Sequence, residues 1–129
     1  AFKTRAFAKW ARGEGLGDAA LGTAVAEMEG GLIDAQLGGQ VVKKRVAFPG
    51  RGKRGSARTV VAFKQGDKAF FIYGFAKNER SNIDKGEEVA LKLLAAHLLS
   101  LTKQGIDTTL AAGELMEIDC HAQNQISDT

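Results

Sequence analysis

Residues Val41 to Gly66 read VVKKRVAFPGRGKRGSARTVVAFKQG, and the rest of the 129-residue chain is arranged on either side of this stretch. It holds Lys43, Lys44, Arg45, Arg51, Lys53, Arg54, Arg58 and Lys64, eight of the chain's 18 basic residues, and no carboxylate. The other residues carry ten bases against fifteen acids, so this one segment turns a net-acidic remainder to +3 overall. Charge gathered in this way is a local field directed at something anionic. Val41 to Phe48 alternates with the strand period, which places Lys43 and Arg45 on one face and Val42, Lys44 and Val46 on the other. Phe48-Pro49-Gly50 ends that strand, because proline cannot donate to a ladder. Arg58 to Phe63 resumes as a second strand, and Lys64-Gln65-Gly66-Asp67 turns the chain into a hairpin. The cations are thus mounted on strands and a glycine-rich loop, and nucleic acid is the polyanion they suit. The plainer alternative is a solvated basic hairpin.

Downstream, Ala69 to Ala76 (AFFIYGFA) is the most apolar run and reads as a central strand. Strict alternation puts Phe71, Tyr73, Phe75 and Lys77 on one face, the three rings as stacking surfaces for unpaired bases or as sheet core under a helix. Asp84 with Glu87 three residues later forms a capping box, and the helix it starts extends to about Thr102. Val89, Ala90, Leu93, Leu94, Leu98 and Leu101 make its apolar stripe. Beyond Gly105 the pattern gives a short helix around Thr108 to Ala112, a strand over Glu114 to Ile118 and a polar tail. Upstream, Phe2, Ala6, Phe7 and Trp10 fit a helical face, with a short strand at Phe2 to Arg5 as the alternative. Asp18 caps an amphipathic helix from Ala19 to Glu29, Gly30-Gly31 stops it, and Leu32 to Gln40 is a connector. Helices, then three strands with short turns, then a helix: the order implies an α+β fold with N-terminal helices on a small antiparallel sheet and a C-terminal helix.

The length suits one domain with a real hydrophobic core. Composition is that of a soluble globular protein, with 44% apolar and 26% charged residues. The single cysteine, Cys120, permits no internal disulfide, which makes a reducing compartment the default. No apolar run approaches the ~18 residues of a membrane span, and the first residues are not a secretory signal. The start at Ala1 fits removal of an initiator methionine, and the expected location is the cytoplasm. Asp119-Cys120-His121 is the one candidate metal cluster, and with no partner cluster it reads as structural. His97 reads as a flank of the helix stripe, with no nucleophile motif beside either histidine. The Gly50-x-Gly52-Lys53 loop is no phosphate loop either, since Arg54 follows the lysine and a strand follows the loop. No metal or cofactor is expected.

With the motifs Gly50-x-Gly52-Lys53-x-Gly55-x-x-Arg58 and Tyr73-Gly74-Phe75-x-Lys77-x-Glu79-Arg80-x-Asn82-Ile83, and the upstream Glu27 to Gly39 segment, the chain resembles the RelE/ParE superfamily of toxin–antitoxin toxins. The likeness is greatest to its HigB-like branch. It covers residues 1–102 as a RelE-like toxin domain and leaves 103–129 as a partly disordered C-terminal extension. It implies helices packed on an antiparallel sheet whose other face is a basic cleft. It further implies a metal-independent endoribonuclease that cuts mRNA on the translating ribosome, using the 2′-hydroxyl on the adjacent phosphate, until a cognate antitoxin neutralises it. By position, Arg58 matches the family's phosphate-clamping arginine, and Lys43 and Arg45 match a basic pair on the preceding strand. Lys53, Lys77 and Glu79 join Arg58 as catalytic candidates. Lys43, Lys44, Arg45, Arg51, Arg54, Tyr73 and Arg80 are the candidates for binding RNA. Asn78 and Asp84 stand where some relatives have a second arginine and a tyrosine, and the histidine–carboxylate acid–base pair of others is not evident either. The general base is therefore open among Lys43, Lys53, Lys77, Glu79 and Tyr73. The alternative is a non-catalytic toxin or nucleic-acid binder, such as a ParE-like gyrase inhibitor.

Overall fold

A computed structural model describes residues 1–48 and 55–119, and its element order is β1 (Phe2–Thr4), α1 (Arg5–Glu14), α2 (Asp18–Glu29), β2 (Ala35–Gly38), β3 (Val41–Ala47), β4 (Ser56–Lys64), β5 (Lys68–Ala76), α3 (Lys85–Leu99), α4 (Lys103–Ala111) and β6 (Leu115–Glu117). Six strands form one sheet in the order β2-β3-β4-β5-β1-β6. The fold is α+β, but the sheet is mixed where an antiparallel one was expected, because β1 runs parallel to β5. Both readings of the first residues are realised in part. Phe2–Thr4 is a strand, and Thr4 then caps α1, its Oγ1 accepting from the Phe7 N–H at 3.1 Å.

The β3–β4–β5 meander is the spine. Val42, Val46, Ala57, Val61 and Phe71 bury one face under α1 and α2, against Phe7, Ala11, Leu21 and Met28. Val41, Val60, Ala62, Phe70 and Ile72 bury the opposite face under α3 and α4, against Ala95, Leu98 and Ile106. The sheet is therefore sandwiched, and α3 covers only one end of its second face. The α3 stripe is broader than its contact with the sheet: Leu98 is buried, while Val89 and Leu93 stay 59% and 70% exposed.

One further expectation changes. The Leu32–Gln40 connector contains β2, an edge strand on β3. Residues 103–118 supply α4 and β6, where the sequence pattern predicts a short helix and a strand. Leu115 and Ile118 are buried, and β6 closes the sheet against β1. Among the described residues no helix is long and apolar enough to cross a membrane.

Candidate nucleic-acid interface

Strand register assembles the cations. Arg45 on β3 pairs with Arg58 on β4, and Arg58 pairs with Phe75 on β5, so these three side chains form one row across the sheet. The next row is Lys43, Val60 and Tyr73. Period-2 geometry sends both rows to the face of α3, at the end that α3 leaves uncovered. There Lys43, Arg45, Arg58, Val60 and Phe75 line a cavity of about 230 Å³, with Asp34, Ser81 and Asn82 at its margin. Like charges directly opposite on neighbouring strands repel. The Arg45–Arg58 pair is therefore a local cost that packing alone does not explain.

Arg58 carries an unsatisfied hydrogen-bond donor. Its Nε is buried and has no hydrogen-bond partner among the described residues. A buried donor left unpaired costs about 1–3 kcal/mol, and such an atom calls for an explanation. An anionic oxygen entering the cavity would supply the missing acceptor. Arg45 is exposed, with its Nε 3.7 Å from Asp34 Oδ1, while its backbone N–H donates to Asp34 Oδ2 at 2.7 Å. Lys43 is half-buried and has no ion-pair partner among the described residues. The loop carrying Arg51, Lys53 and Arg54 lies outside the described residues. Its ends meet where Phe48 N–H donates to Gly55 C=O at 2.9 Å, just past the Arg45–Arg58 pair.

Lys44 is corrected. It is 4% exposed, on the α2 face, and its Nζ stands 2.8 Å from a Glu27 carboxylate oxygen. The same alternation that aims Lys43 and Arg45 into the cavity turns Lys44 away, so its ammonium is not presented to a polyanion there. Phe71 is corrected as well. A β-bulge between the Val60–Tyr73 and Val61–Phe71 pairs inserts Ile72, which resets the alternation. Phe71 consequently faces α1, its ring centroid 5.4 Å from that of Phe7, while Tyr73 and Phe75 face the other side.

A second group sits beside the first. The Arg80 guanidinium lies 5.6 Å from the centroid of Phe75 and forks onto Glu87. Its Nη1 donates to Glu87 Oε2 at 2.8 Å and to the Tyr73 hydroxyl at 3.0 Å, and its Nε donates to Asn82 C=O at 2.9 Å. Tyr73 in turn donates to Glu87 Oε2 at 3.1 Å. Glu87 also completes the capping box, accepting from Asp84 N–H while the Asp84 carboxylate accepts from Glu87 N–H. The Arg80 bond, followed by the bond from the Asp84 backbone, holds the Glu87 carboxyl down to about 2. Burial, followed by the hydrogen bond to Glu87, raises the Tyr73 phenol above its ordinary value. Tyr73 is thereby held as a donor within this group.

Lys77 and Glu79 occupy the exposed turn after β5. Glu79 and Arg80 border a second cavity with Trp10, Gly74 and Phe75. The structure thus brings Lys43, Arg45 and Arg58 together, gathers Tyr73, Glu79 and Arg80 into a neighbouring site, and leaves Lys77 outside both. Sequence reading missed Asp34, Ser81 and Asn82 at the first cavity and Trp10 and Gly74 at the second. Glu87 was legible only as a cap, since nothing in its spacing announces a contact with Arg80. Cys120 and His121 of the candidate metal cluster lie outside the described residues.

Neither the curated proteins nor the solved structures yield a match. A family model, RelE toxin of the RelE/RelB toxin–antitoxin system, matches residues 1–118. That span takes in the whole β3–β5 meander with its Arg45–Arg58–Phe75 row, and also α4 and β6. The chain belongs to the RelE family of toxins from toxin–antitoxin systems.

Proposed function

We propose that the chain is a metal-independent endoribonuclease of the HigB-like branch, acting in the cytoplasm on mRNA in the translating ribosome. A cognate antitoxin neutralises it by covering the cationic face. The observation that carries this reading is the buried Nε of Arg58, without a partner among the described residues, on a side chain that lines the cavity with Lys43 and Arg45. In-line attack of a ribose 2′-hydroxyl on the adjacent phosphorus forms the 2′-O–P bond as the P–O5′ bond breaks. It leaves a 2′,3′-cyclic phosphate and a 5′-hydroxyl that gains a proton for the one the 2′-hydroxyl loses. On the way, negative charge piles onto the non-bridging oxygens. Donors already fixed where that charge develops stabilise the transition state without reorganising. Arg58, held by its strand and packed against the Phe75 row, clamps the phosphate. Lys43 and Arg45 neutralise it, and the glycine-rich loop with Arg51, Lys53 and Arg54 tracks the flanking backbone.

Primer extension on an mRNA incubated with purified protein, with and without translating ribosomes, tests the reading. Codon-phased cuts that need ribosomes are expected. Arg58→Ala should lower cutting about 10²- to 10³-fold, by analogy with loss of one preorganised oxyanion donor, with an unchanged circular dichroism spectrum. Wild-type cutting by Arg58→Ala overturns the site. Absence of cutting by the antitoxin-free wild type under both conditions overturns the nuclease and directs attention to a binding target such as gyrase.

A further inference from the structure

The second cavity lies where β5 runs out of partners. β1 pairs with β5 only at Phe70 and Phe71, because the chain leaves the sheet after Thr4 and enters α1. From Ile72 onward, that edge of β5 has no strand beside it among the described residues. A cavity of about 290 Å³ stands there, bordered by Trp10, Gly74, Phe75, Glu79 and Arg80. Gly74 is what seats the indole: a Cβ at this position would lie 2.3 Å from Trp10 Cζ3. Arg80, bonded to Asn82, Tyr73 and Glu87, is a fixed plane and not a loose charge. Glu79 is exposed and has no ion-pair partner among the described residues. Phe75 borders both cavities, which makes them neighbours across one ring.

We propose that this cavity is a nucleobase subsite, in which one unpaired base of the RNA stacks on Trp10 and the Phe75–Arg80 pair while Glu79 accepts from its N–H edge. The proposal rests on the cationic cavity binding the phosphodiester backbone and adds which part of the strand is read. Aromatic rings and guanidinium planes are the surfaces on which single-stranded bases stack. The cavity volume, about 290 Å³, is just below the ~300–1,000 Å³ range of small-molecule sites, which suits one base better than a peptide helix. An ionised carboxylate only accepts. It therefore favours a base edge rich in donors, and guanine offers N1–H and an exocyclic amine side by side. Adenine presents a ring acceptor at N1. The subsite prefers guanine to adenine.

Trp10 is the chain's only tryptophan, so its fluorescence reports on this cavity. The probes are short fluorescein-labelled 2′-O-methyl oligoribonucleotides, which cannot undergo 2′-oxygen attack, carrying a central guanosine, adenosine or abasic site. Anisotropy reads binding, and Trp10 emission reads occupancy of the subsite. The guanosine oligomer should quench Trp10 and bind about tenfold tighter than the adenosine one, within the discrimination a bidentate base contact provides. The abasic oligomer should bind without quenching. Glu79→Ala should bring guanosine and adenosine to equal affinity, while Arg58→Ala weakens all three oligomers by one factor. Binding without quenching, or equal quenching by the abasic oligomer, overturns the subsite and leaves the phosphate site standing. Failure of every oligomer to bind also overturns it, and the ribosome cleavage assay then judges the Arg58 site separately.

Discussion

Replacing Gly74 by alanine isolates one contact between α1 and the sheet. The new Cβ would fall 2.3, 2.6 and 2.7 Å from Trp10 Cζ3, Cε3 and Cη2. Carbon atoms pack best at about 3.5–4.0 Å, so the indole must retreat by about 1 Å. Its ring also packs 5.5 Å, centroid to centroid, from buried Phe7, so any shift disturbs that contact as well. Overpacking of this kind costs about 1–3 kcal/mol. Gly74 is not one of the positive-φ glycines, so alanine brings no backbone strain there. Its restriction of the unfolded chain returns about 0.4–1 kcal/mol. The net expectation is a loss of about 1–2 kcal/mol, seen as a Tm lower by roughly 3–8 °C for a domain of this size. Thermal and urea unfolding measure it, and a double-mutant cycle with Trp10→Leu supplies the control. In the Trp10→Leu background, Gly74→Ala should be neutral or stabilising, with a coupling of about 1–2 kcal/mol. Wild-type stability in the single variant, or the same loss in both backgrounds, refutes the steric reasoning.

Lys44→Met should leave RNA affinity unchanged, because the ammonium lies under α2. Glu27→Ala, which strands that buried cation, should cost about 1–3 kcal/mol in urea unfolding. If Lys43, Arg45 and Arg58 each neutralise a phosphate, log affinity for single-stranded RNA should fall with log salt at a slope of at least about −2. Arg45→Ala should then shallow that slope by about 0.7, and an unchanged slope removes Arg45 from the interface. Glu87 has a folded-state carboxyl held near 2 against an ordinary 4.5. Its stabilising contribution is therefore complete above the ordinary range and is lost as pH falls from about 4.5 to 2. The stability gap between wild type and Glu87→Gln should close across that window, and a gap independent of pH contradicts the Arg80–Glu87 clamp.

Local patterns carried far in this chain because strands and caps are local devices. The alternation of Val41 to Ala47 already separates Lys43 and Arg45 from Lys44. The Asp84–Glu87 capping box likewise needs only a four-residue spacing. Where a non-local contact decides, the same patterns mislead. The bulge at Ile72 shifts Phe71 to the face opposite Tyr73 and Phe75, and no alternation rule announces a bulge. Three residues, Phe2–Thr4, become a strand because β5 and β6 stand ready on either side of them. Their own composition suits a helix face as well.

The amino-acid sequence by itself determined that a cationic hairpin organises the molecule and which residues of β3 face which way, whereas the family resemblance suggested Arg58 as a companion of Lys43 and Arg45 and the strand register sets Arg58 opposite Arg45. Charge and period-2 geometry are properties of the chain that survive in any packing consistent with a sheet. Only the tertiary structure decided which cations remain available. Glu27 approaches Lys44 across the α2 interface, Glu87 takes Arg80 from the start of α3, and among the described residues Arg58 alone keeps a buried side-chain donor without an acceptor. Pairing depends on which carboxylates the fold brings within reach, and that distance is set by packing between elements far apart in the chain.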